Sequence, residues 1–265
     1  MSQATNVSAL FQSSHEEGDL SAQSLAVLSG LDLGAKIQAA LGTPVGEVEA
    51  TEVVIVAMLV DDSGSIRFAG NAQAVRDGHN LVIEALTGSK QKDRILIHTR
   101  YLNGNYILFP YCLLDGAVKM DQSNYNPMGG TPLYDESVVI LGTVIAKVRE
   151  FADNGVPVRA ITLIVTDGHD EGSRKASPGD VKTLVDDMLS TERHIIAAMG
   201  VDDGGVMDFR EVFKEMGIPD EWILTPGSDP KEIRQAFNTF SQSAVRASQS
   251  PASFSKTAAG GFGNP

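Results

Sequence analysis

An uninterrupted apolar run from Val53 to Val60 constrains the fold more than any other stretch of the chain. Its residues, rich in Val and Ile, do not alternate with polar ones, and the run is too short to span a membrane. Short apolar runs of this kind are typical of parallel strands that are buried on both faces. We therefore expect this segment to be the central strand of an α/β sheet.

The apolar run ends in an acidic, hydroxyl-rich sequence, Asp61-Asp-Ser-Gly-Ser65. Open α/β sheets bind ligands at the carboxyl ends of their strands, so this loop is a candidate site. Asp61, Ser63 and Ser65 offer only hard oxygen atoms, which Mg²⁺ prefers as ligands. The same residues also suit a polar turn whose Ser and Asp side chains cap the next helix. Both interpretations stay open at this point.

Composition and charge limit the kinds of partner. The chain has 34 acidic and 21 basic residues and a net charge of -13, which disfavours binding to nucleic acid or to an anionic membrane. Its first residues show no basic segment followed by a long apolar core, and no apolar stretch reaches the about 18 residues of a membrane helix. The lone Cys112 suits a reducing compartment. We expect a cytoplasmic protein.

The length of 265 residues favours one large domain with extensions at both ends. Residues 1–20 are polar and predict a disordered lead-in. Residues 21–51 predict a helical extension, with one amphipathic helix over 24–41 that ends at Gly42-Thr-Pro44. The main domain spans 52–247. Residues 248–265, rich in Ser, Ala, Gly and Pro, predict a disordered tail whose removal after Ala247 has little effect.

Helical and strand patterns alternate through the main domain. Helices are predicted over 72–86, 133–152, 181–189, 209–216 and 230–247, and further strands over 94–101, 106–112, 159–166, 195–201 and 222–224. This alternation predicts a doubly wound, mostly parallel α/β sheet with helices on both faces. Asn103-Gly104 favours a tight hairpin, and Pro110 belongs on an outer strand, so one antiparallel edge strand is expected.

Two further loops carry oxygen ligands. Thr131 lies in Gly129-Gly-Thr-Pro-Leu133 before a predicted helix, and Asp167 ends a second apolar strand in Ile164-Val-Thr-Asp-Gly168. Thr131 also suits a helix cap, and Asp167 a turn before glycine. The set of three loops resembles the von Willebrand factor A-type (vWA) domain with its metal-ion-dependent adhesion site (MIDAS), over about 52–247. That family carries Asp-x-Ser-x-Ser, a Thr and an Asp in these places, and all five positions match.

The resemblance implies a Rossmann-like fold and a metal site formed by Asp61, Ser63, Ser65, Thr131 and Asp167. By that resemblance Ser63, Ser65 and sometimes Thr131 bind Mg²⁺ (or Mn²⁺ or Ca²⁺) directly, while the two aspartates hold it directly or through water. An open position would then accept an Asp or Glu of a protein partner. The chain resembles bacterial-type intracellular members, which implies an adaptor or scaffold, including in assemblies run by AAA+ ATPases or kinases. Replacing Asp61 or Thr131 with Ala is then expected to abolish binding with the fold intact.

Two other functions are alternatives to this interpretation. Metal-dependent phosphoryl hydrolases of the haloacid dehalogenase type carry Asp-x-Asp after their first strand, but Ser63 replaces the second acid here. No Gly-x-Ser-x-Gly or phosphate-binding glycine loop follows any predicted strand, so we expect no enzyme activity. A metal-independent structural scaffold would need none of the five oxygens, and metal titration distinguishes it. Asp62, Asp170 and Glu171 either raise cation affinity or form a solvated rim.

Overall fold

A central sheet organises the computed structural model, which describes residues 6–103, 106–202 and 208–263. Within these ranges the sheet has six strands in the order β3-β2-β1-β4-β5-β6, all parallel except β3. The prediction of a mostly parallel sheet with one antiparallel edge strand is confirmed. The predicted turn residue Gly104 lies outside the described residues. The strands are β1 (Val53–Val60), β2 (Ile95–Tyr101), β3 (Ile107–Leu113), β4 (Val158–Thr166), β5 (His194–Gly200) and β6 (Ile223–Leu224).

Helices cover both faces of the sheet. One group contains α5 and α9, which pack on each other, and another contains α6 and α7 with the helices that precede β1. Every residue of β1 is buried, whichever face it points to, so the two groups lie on opposite faces. In chain order the α-helices are α1 (Val7–Glu16), α2 (Ala22–Gly30), α3 (Gly34–Ala40), α4 (Gly64–Phe68), α5 (Ala72–Thr87), α6 (Leu133–Asp153), α7 (Pro178–Ser190), α8 (Phe209–Glu215), α9 (Pro230–Ser248) and α10 (Pro251–Gly260).

The register of β1 and β4 determines where the candidate loops meet. Val60 pairs with Val165, and the backbone N–H of Asp61 donates to the carbonyl of Val165 at 3.0 Å. Both strands therefore end at the same level of the sheet. The two acidic loops that follow them are neighbours, as the sequence predicted.

The amino-terminal segment corrects two expectations. Residues 7–16, predicted to be disordered, form α1, whose Val7, Leu10 and Phe11 are buried. These residues recur at helical spacing, and the Asn6 side chain caps the helix through the N–H of Ser8 at 3.1 Å. The single helix predicted over 24–41 is two helices, α2 and α3, separated by a turn in which Asp32 has a φ of 48°.

These helices pack against α6. Sixteen of the twenty-one residues of α6 are buried, so it is an interior helix rather than a surface one. Gly142 allows the close approach, because a Cβ there would lie 2.9 Å from Leu28 Cδ2 and 3.0 Å from Ile37 Cδ1. The extension is part of the same core as the sheet.

The carboxyl-terminal segment is also ordered where disorder was predicted. Ser250 caps α10 by accepting from the N–H of Ser253 at 3.1 Å, and Pro251 occupies the first helical position. Phe254 is buried, and the Arg159 guanidinium carbon lies 5.7 Å from the centre of its ring. One large aromatic residue thus anchors a segment whose composition is otherwise typical of disorder.

Among the described residues, no single helix combines the length and apolarity needed to cross a membrane. One sharply bent pair of segments, Ala22–Gly30 with Gly34–Glu47, meets the length and composition criteria together.

Candidate metal site

Asp61 ties the loop after β1 to the end of β4. Its Oδ1 accepts a hydrogen bond from the N–H of Ser63 at 2.8 Å. Its Oδ2 accepts one from the Thr166 hydroxyl at 2.7 Å and one from the N–H of Asp167 at 3.2 Å. The side chain is fully buried; burial raises its pKa, while these hydrogen bonds act in the opposite direction. Both oxygens of Asp61 thus hold the two loops together.

Ser63, Ser65 and Asp167 bring three oxygen atoms together. Ser63 Oγ lies 2.8 Å from Ser65 Oγ, and Asp167 Oδ1 accepts from the two hydroxyls at 3.2 and 2.8 Å. In an octahedron with Mg²⁺–O distances of 2.0–2.1 Å, adjacent ligand oxygens lie about 2.9 Å apart. The three atoms have the spacing of one face of such an octahedron. Hydrogen bonds have the same length, so these positions suit the residues with or without a cation.

The helix-capping alternative for these hydroxyls is wrong. Ser63 is the residue before α4, but its side chain makes no capping hydrogen bond and contacts Asp167 instead. Thr131 does not cap α6 either, because Pro132 precedes the helix and the first-turn N–H groups of Tyr134 and Asp135 donate to Asp170 Oδ1 and Ser173 Oγ, at 3.3 and 2.9 Å.

Thr131 lies against the loop that follows β4. Its carbonyl accepts from the N–H of Glu171 at 2.9 Å, and a Cβ built on Gly168 would lie 3.7 Å from its hydroxyl oxygen. The side chain is buried. No hydrogen bond in the described part of the chain joins this hydroxyl to the other four predicted ligands. The structure therefore brings Asp61, Ser63, Ser65 and Asp167 into direct contact and places Thr131 beside them.

Asn103, which follows β2, supports this arrangement through contacts that the sequence did not predict. Gly129 O accepts from the N–H of Gly64 at 3.0 Å, and a Cβ on Gly129 would lie 1.8 Å from Asn103 Nδ2, so a side chain there would displace the Asn103 amide. Asn103 donates from Nδ2 and from its backbone N–H to Asp62 Oδ1, at 2.7 and 2.9 Å. Asp62 thus holds the β2–β3 hairpin. The sequence signal for this contact is Asn103 itself, whose side-chain amide can donate to a carboxylate as well as favour a turn.

The donor chemistry fits a hard cation. Within residues 6–103, 106–202 and 208–263, no group of three or more His, Cys, Asp or Glu side chains is placed to hold a metal ion. A cation at this edge would therefore depend on the hydroxyls of Ser63 and Ser65 together with Asp167. These are neutral and singly charged oxygen donors, which suit Mg²⁺ and not a soft metal.

Comparison with solved structures decides the fold. The von Willebrand factor type A protein from Catenulispora acidiphila covers 74% of this chain and 43% of its own, with a TM-score of 0.51 and 16% identity. The vWF domain of the type V pili tip protein Mfa5 from Porphyromonas gingivalis covers 76% and 98%, with a TM-score of 0.51 and 12% identity. The chain has a vWA fold.

A third structure with this fold is larger. The open conformation of the pilus adhesin SpaC from Lactobacillus rhamnosus GG matches with a TM-score of 0.55 and 15% identity over 74% of this chain. This chain spans 30% of the adhesin. Comparison with protein-family models and with curated protein sequences gives no match. At these identities the likeness establishes the vWA fold alone.

Proposed function

We propose that the chain is a divalent-metal-dependent protein-interaction module whose site captures an acidic residue of a partner. The observation that carries the proposal is the triangle of Ser63 Oγ, Ser65 Oγ and Asp167 Oδ1, with sides of 2.8, 2.8 and 3.2 Å. It lies at the carboxyl edge of a parallel sheet, where this architecture binds ligands. Mg²⁺ is the expected ion, with Mn²⁺ or Ca²⁺ as alternatives.

The roles of the five residues follow from their contacts. The ion would be held by the hydroxyls of Ser63 and Ser65 and by the carboxylate of Asp167. Thr131, whose hydroxyl lies beside Gly168, would complete the site from the neighbouring loop, and Asp61 would position the loops, since both of its oxygens already accept hydrogen bonds. A bound divalent cation would supply an electrophilic position for a carboxylate.

Charge balance favours an acidic partner. The three proposed contact residues carry one negative charge between them, because the hydroxyls are neutral. A divalent ion held by them keeps excess positive charge, which attracts a carboxylate even to a chain with a net charge of -13. Structural neighbours include a pilus adhesin and a pilus tip domain, which supports an interaction role.

The proposal extends to the setting of the protein. We place it in the cytoplasm as a non-catalytic adaptor or scaffold, including in assemblies run by AAA+ ATPases or kinases. The lone Cys112 and the acidic composition support this setting. A phosphoryl hydrolase remains disfavoured, because Ser63 occupies the position of the second acid and its hydroxyl is directed at Asp167.

A metal-independent scaffold is the second candidate. It is favoured by the hydrogen bonds from Ser63 and Ser65 to Asp167, which join the site residues without a cation. The two candidates differ in one measurable property, the affinity of the chain for Mg²⁺ or Mn²⁺.

Calorimetric titration with Mg²⁺, and with Mn²⁺ monitored by electron paramagnetic resonance, tests the proposal. We expect wild type to bind one Mg²⁺ or Mn²⁺ ion per chain. The Ser63→Ala/Ser65→Ala double variant should bind neither ion. Ser190→Ala is the matched control, since that exposed hydroxyl, in the last turn of α7, donates to the Asp187 carbonyl at 2.7 Å. The bound ion should stabilise the fold by about 2.7 kcal/mol at a hundredfold excess over Kd, and chelation should not unfold it. Identical titrations of wild type and double variant would contradict the proposal.

A further inference from the structure

Three large apolar side chains, of Phe68, Tyr106 and Met128, are exposed beside the candidate metal site. In the described ranges the exposed large hydrophobic residues are Phe68, Tyr106, Val118 and Met128, with exposed fractions of 87, 65, 42 and 62%. Single exposed hydrophobic residues are normal on a protein surface, whereas a group beside a site indicates binding. Phe68 is the last residue of α4, which begins directly after Ser63, Met128 directly precedes Gly129, and Tyr106 directly precedes β3.

Contacts through two glycines connect this group to the metal edge. A Cβ on Gly64 would lie 3.3 Å from the Phe68 ring, and the same glycine bonds to Gly129 O at 3.0 Å. The N–H of Met128 donates to the carbonyl of Asp62 at 2.9 Å, so its side chain leaves the chain next to the acidic loop. We call Phe68 and Met128 together the apolar rim.

A cavity continues the apolar rim on one side. It has a volume of about 430 Å³. Tyr101, Tyr106, Met128 and Gly129 form one part of its wall, and polar residues form the rest: Asp62, Asn103, Ser123, Asn124 and Asn126. Gly129 also forms a bridge with Ser63, so the cavity and the metal edge share a wall. An aromatic or large aliphatic side chain would bury its surface there.

Arg67 adds a positive charge to the same surface. It is exposed, and its guanidinium contacts the Met128 sulfur. No ion pair involves it within the part of the chain that the structure describes. The surface therefore combines an apolar area with a cation, next to a site that would accept a carboxylate, so acidic and apolar groups complement it.

We propose that the apolar rim, the cavity and Arg67 form the second half of the interface. The occupant is a polypeptide segment of a partner protein in which an Asp or Glu adjoins an aromatic or large aliphatic residue. The carboxylate binds at the metal site, the apolar neighbour packs on Phe68 and Met128 or in the cavity, and a second acidic group faces Arg67. This inference rests on the proposed function and adds the requirement for an apolar neighbour.

The requirement has a physical reason. Long-range electrostatics oppose the approach of any acidic segment to a chain with a net charge of -13. A metal contact alone would select every accessible carboxylate equally. Burial of an apolar side chain supplies both attraction and selectivity, worth about tenfold or more in affinity for one large residue.

Selection of random peptides displayed on phage, against the immobilised full-length chain in Mg²⁺, tests the inference. We expect enrichment of Asp or Glu next to Phe, Trp, Leu or Met. One enriched peptide, synthesised with a fluorophore, is then titrated by polarisation in Mg²⁺ and in chelator. Its affinity should fall about tenfold in Phe68→Ser and in Met128→Ser. Val118→Ser is the matched control, and circular dichroism checks that each variant is folded.

Each outcome bears on one proposal or both. Acidic peptides without apolar neighbours, bound equally by wild type and Phe68→Ser, would overturn this inference and leave the proposed function standing. Apolar peptides that bind equally in Mg²⁺ and in chelator would overturn the metal-dependent function. They would also overturn the requirement for an Asp or Glu next to the apolar residue. Recovery of no peptide would count against both. If the chain associates with itself and Phe68→Ser abolishes this association, the occupant is a second copy of the chain. That result would overturn the proposal of a partner segment.

Discussion

Thr166 donates a hydrogen bond from its buried hydroxyl to Asp61 Oδ2 at 2.7 Å, joining the ends of the two central strands. Asp61 also accepts from two backbone N–H groups, of Ser63 and Asp167. Removing this carboxylate takes away the acceptor of the buried N–H groups of Ser63 and Asp167, at a cost of about 1–3 kcal/mol each, and leaves the Thr166 hydroxyl with a longer contact to Gly168 O at 3.3 Å. The expectation that Asp61→Ala leaves the fold intact therefore gives way to a prediction of lower stability.

We predict that Asp61→Ala lowers the free energy of unfolding by about 3 kcal/mol or more, whereas Ser65→Ala changes it by less than about 1 kcal/mol. Urea unfolding in chelator measures both without a contribution from metal. Asp61→Asn keeps one acceptor oxygen and should give an intermediate value. Equal stabilities for the Asp61→Ala and Ser65→Ala variants would contradict the structural role of Asp61.

A buried ion-pair group links the amino-terminal extension to the sheet. Glu136, in the first turn of α6, accepts from Lys36 Nζ at 2.6 Å and from Arg100 Nη2 at 3.1 Å. Glu136 and Arg100 are almost fully buried, and burial lowers the pKa of Arg100. Breaking such a pair leaves an uncompensated buried charge.

We predict that Glu136→Leu lowers the free energy of unfolding by about 3–5 kcal/mol. The double variant Arg100→Met/Glu136→Leu should recover most of that loss, because apolar replacement of both partners is often neutral. Lys36→Met should cost about 1 kcal/mol or less, since Lys36 is partly exposed. A denaturation cycle over these variants measures the coupling. A double variant no more stable than Glu136→Leu would show that the pair is needed for packing as well as charge.

The carboxyl-terminal helix is predicted to stabilise the domain, contrary to the expectation of a dispensable tail. Phe254 is buried beside Arg159, and Trp222 Nε1 donates to Ala258 O at 3.2 Å. We predict that Phe254→Ala costs about 3–5 kcal/mol of unfolding free energy, and truncation after Ser248 at least as much. The matched control is Phe68→Ala, the same change at an exposed position. A truncated chain with the melting temperature of the full chain would contradict this prediction.

Three buried histidines make stability depend on pH. Burial lowers the pKa of His79 from 6.5 to about 4, and the pKa values of His98 and His194 to about 3. Each is neutral in the folded chain at pH values where it binds a proton once unfolded. The free energy of unfolding is therefore unaffected by these histidines above about pH 6.5. It decreases as the pH falls from 6.5 to the pKa of each histidine in the folded chain. At pH 5 each histidine lowers the free energy of unfolding by about 2 kcal/mol.

Urea unfolding at pH 7.5 and pH 5 measures this effect. In His194→Leu the difference between the two pH values should shrink by about 2 kcal/mol, because one site of proton uptake is gone from the unfolded chain. The same substitution at the exposed His169 controls for the loss of an imidazole elsewhere. An unchanged difference in the His194→Leu variant would show that this histidine is not the source.

Local patterns predicted the sheet and the paired loops, because Val53–Val60 and the strand before Asp167 are continuous apolar runs that end in an acid. The partners of Asp61 and Asp62 did not follow from the sequence. Thr166 and Asn103 lie 105 and 41 residues away from them, and only the strand register brings them close. One sequence signal indicated that the amino-terminal residues are folded. The middle of α6 is apolar on all sides, as in Val138-Val-Ile-Leu141, so a second layer of helices has to pack on the side that faces away from the sheet.

Both edge strands of the described sheet, β3 and β6, offer few backbone N–H and C=O groups for pairing with another strand. At one edge, β3 carries the exposed Pro110, which has no N–H to donate, and at the other, β6 consists of Ile223 and Leu224 alone. Another chain that tried to extend the sheet would find no continuous ladder to join. Recognition by strand addition, and edge-to-edge aggregation with it, is therefore disfavoured. A partner of this molecule is expected to recognise side chains rather than to extend the sheet.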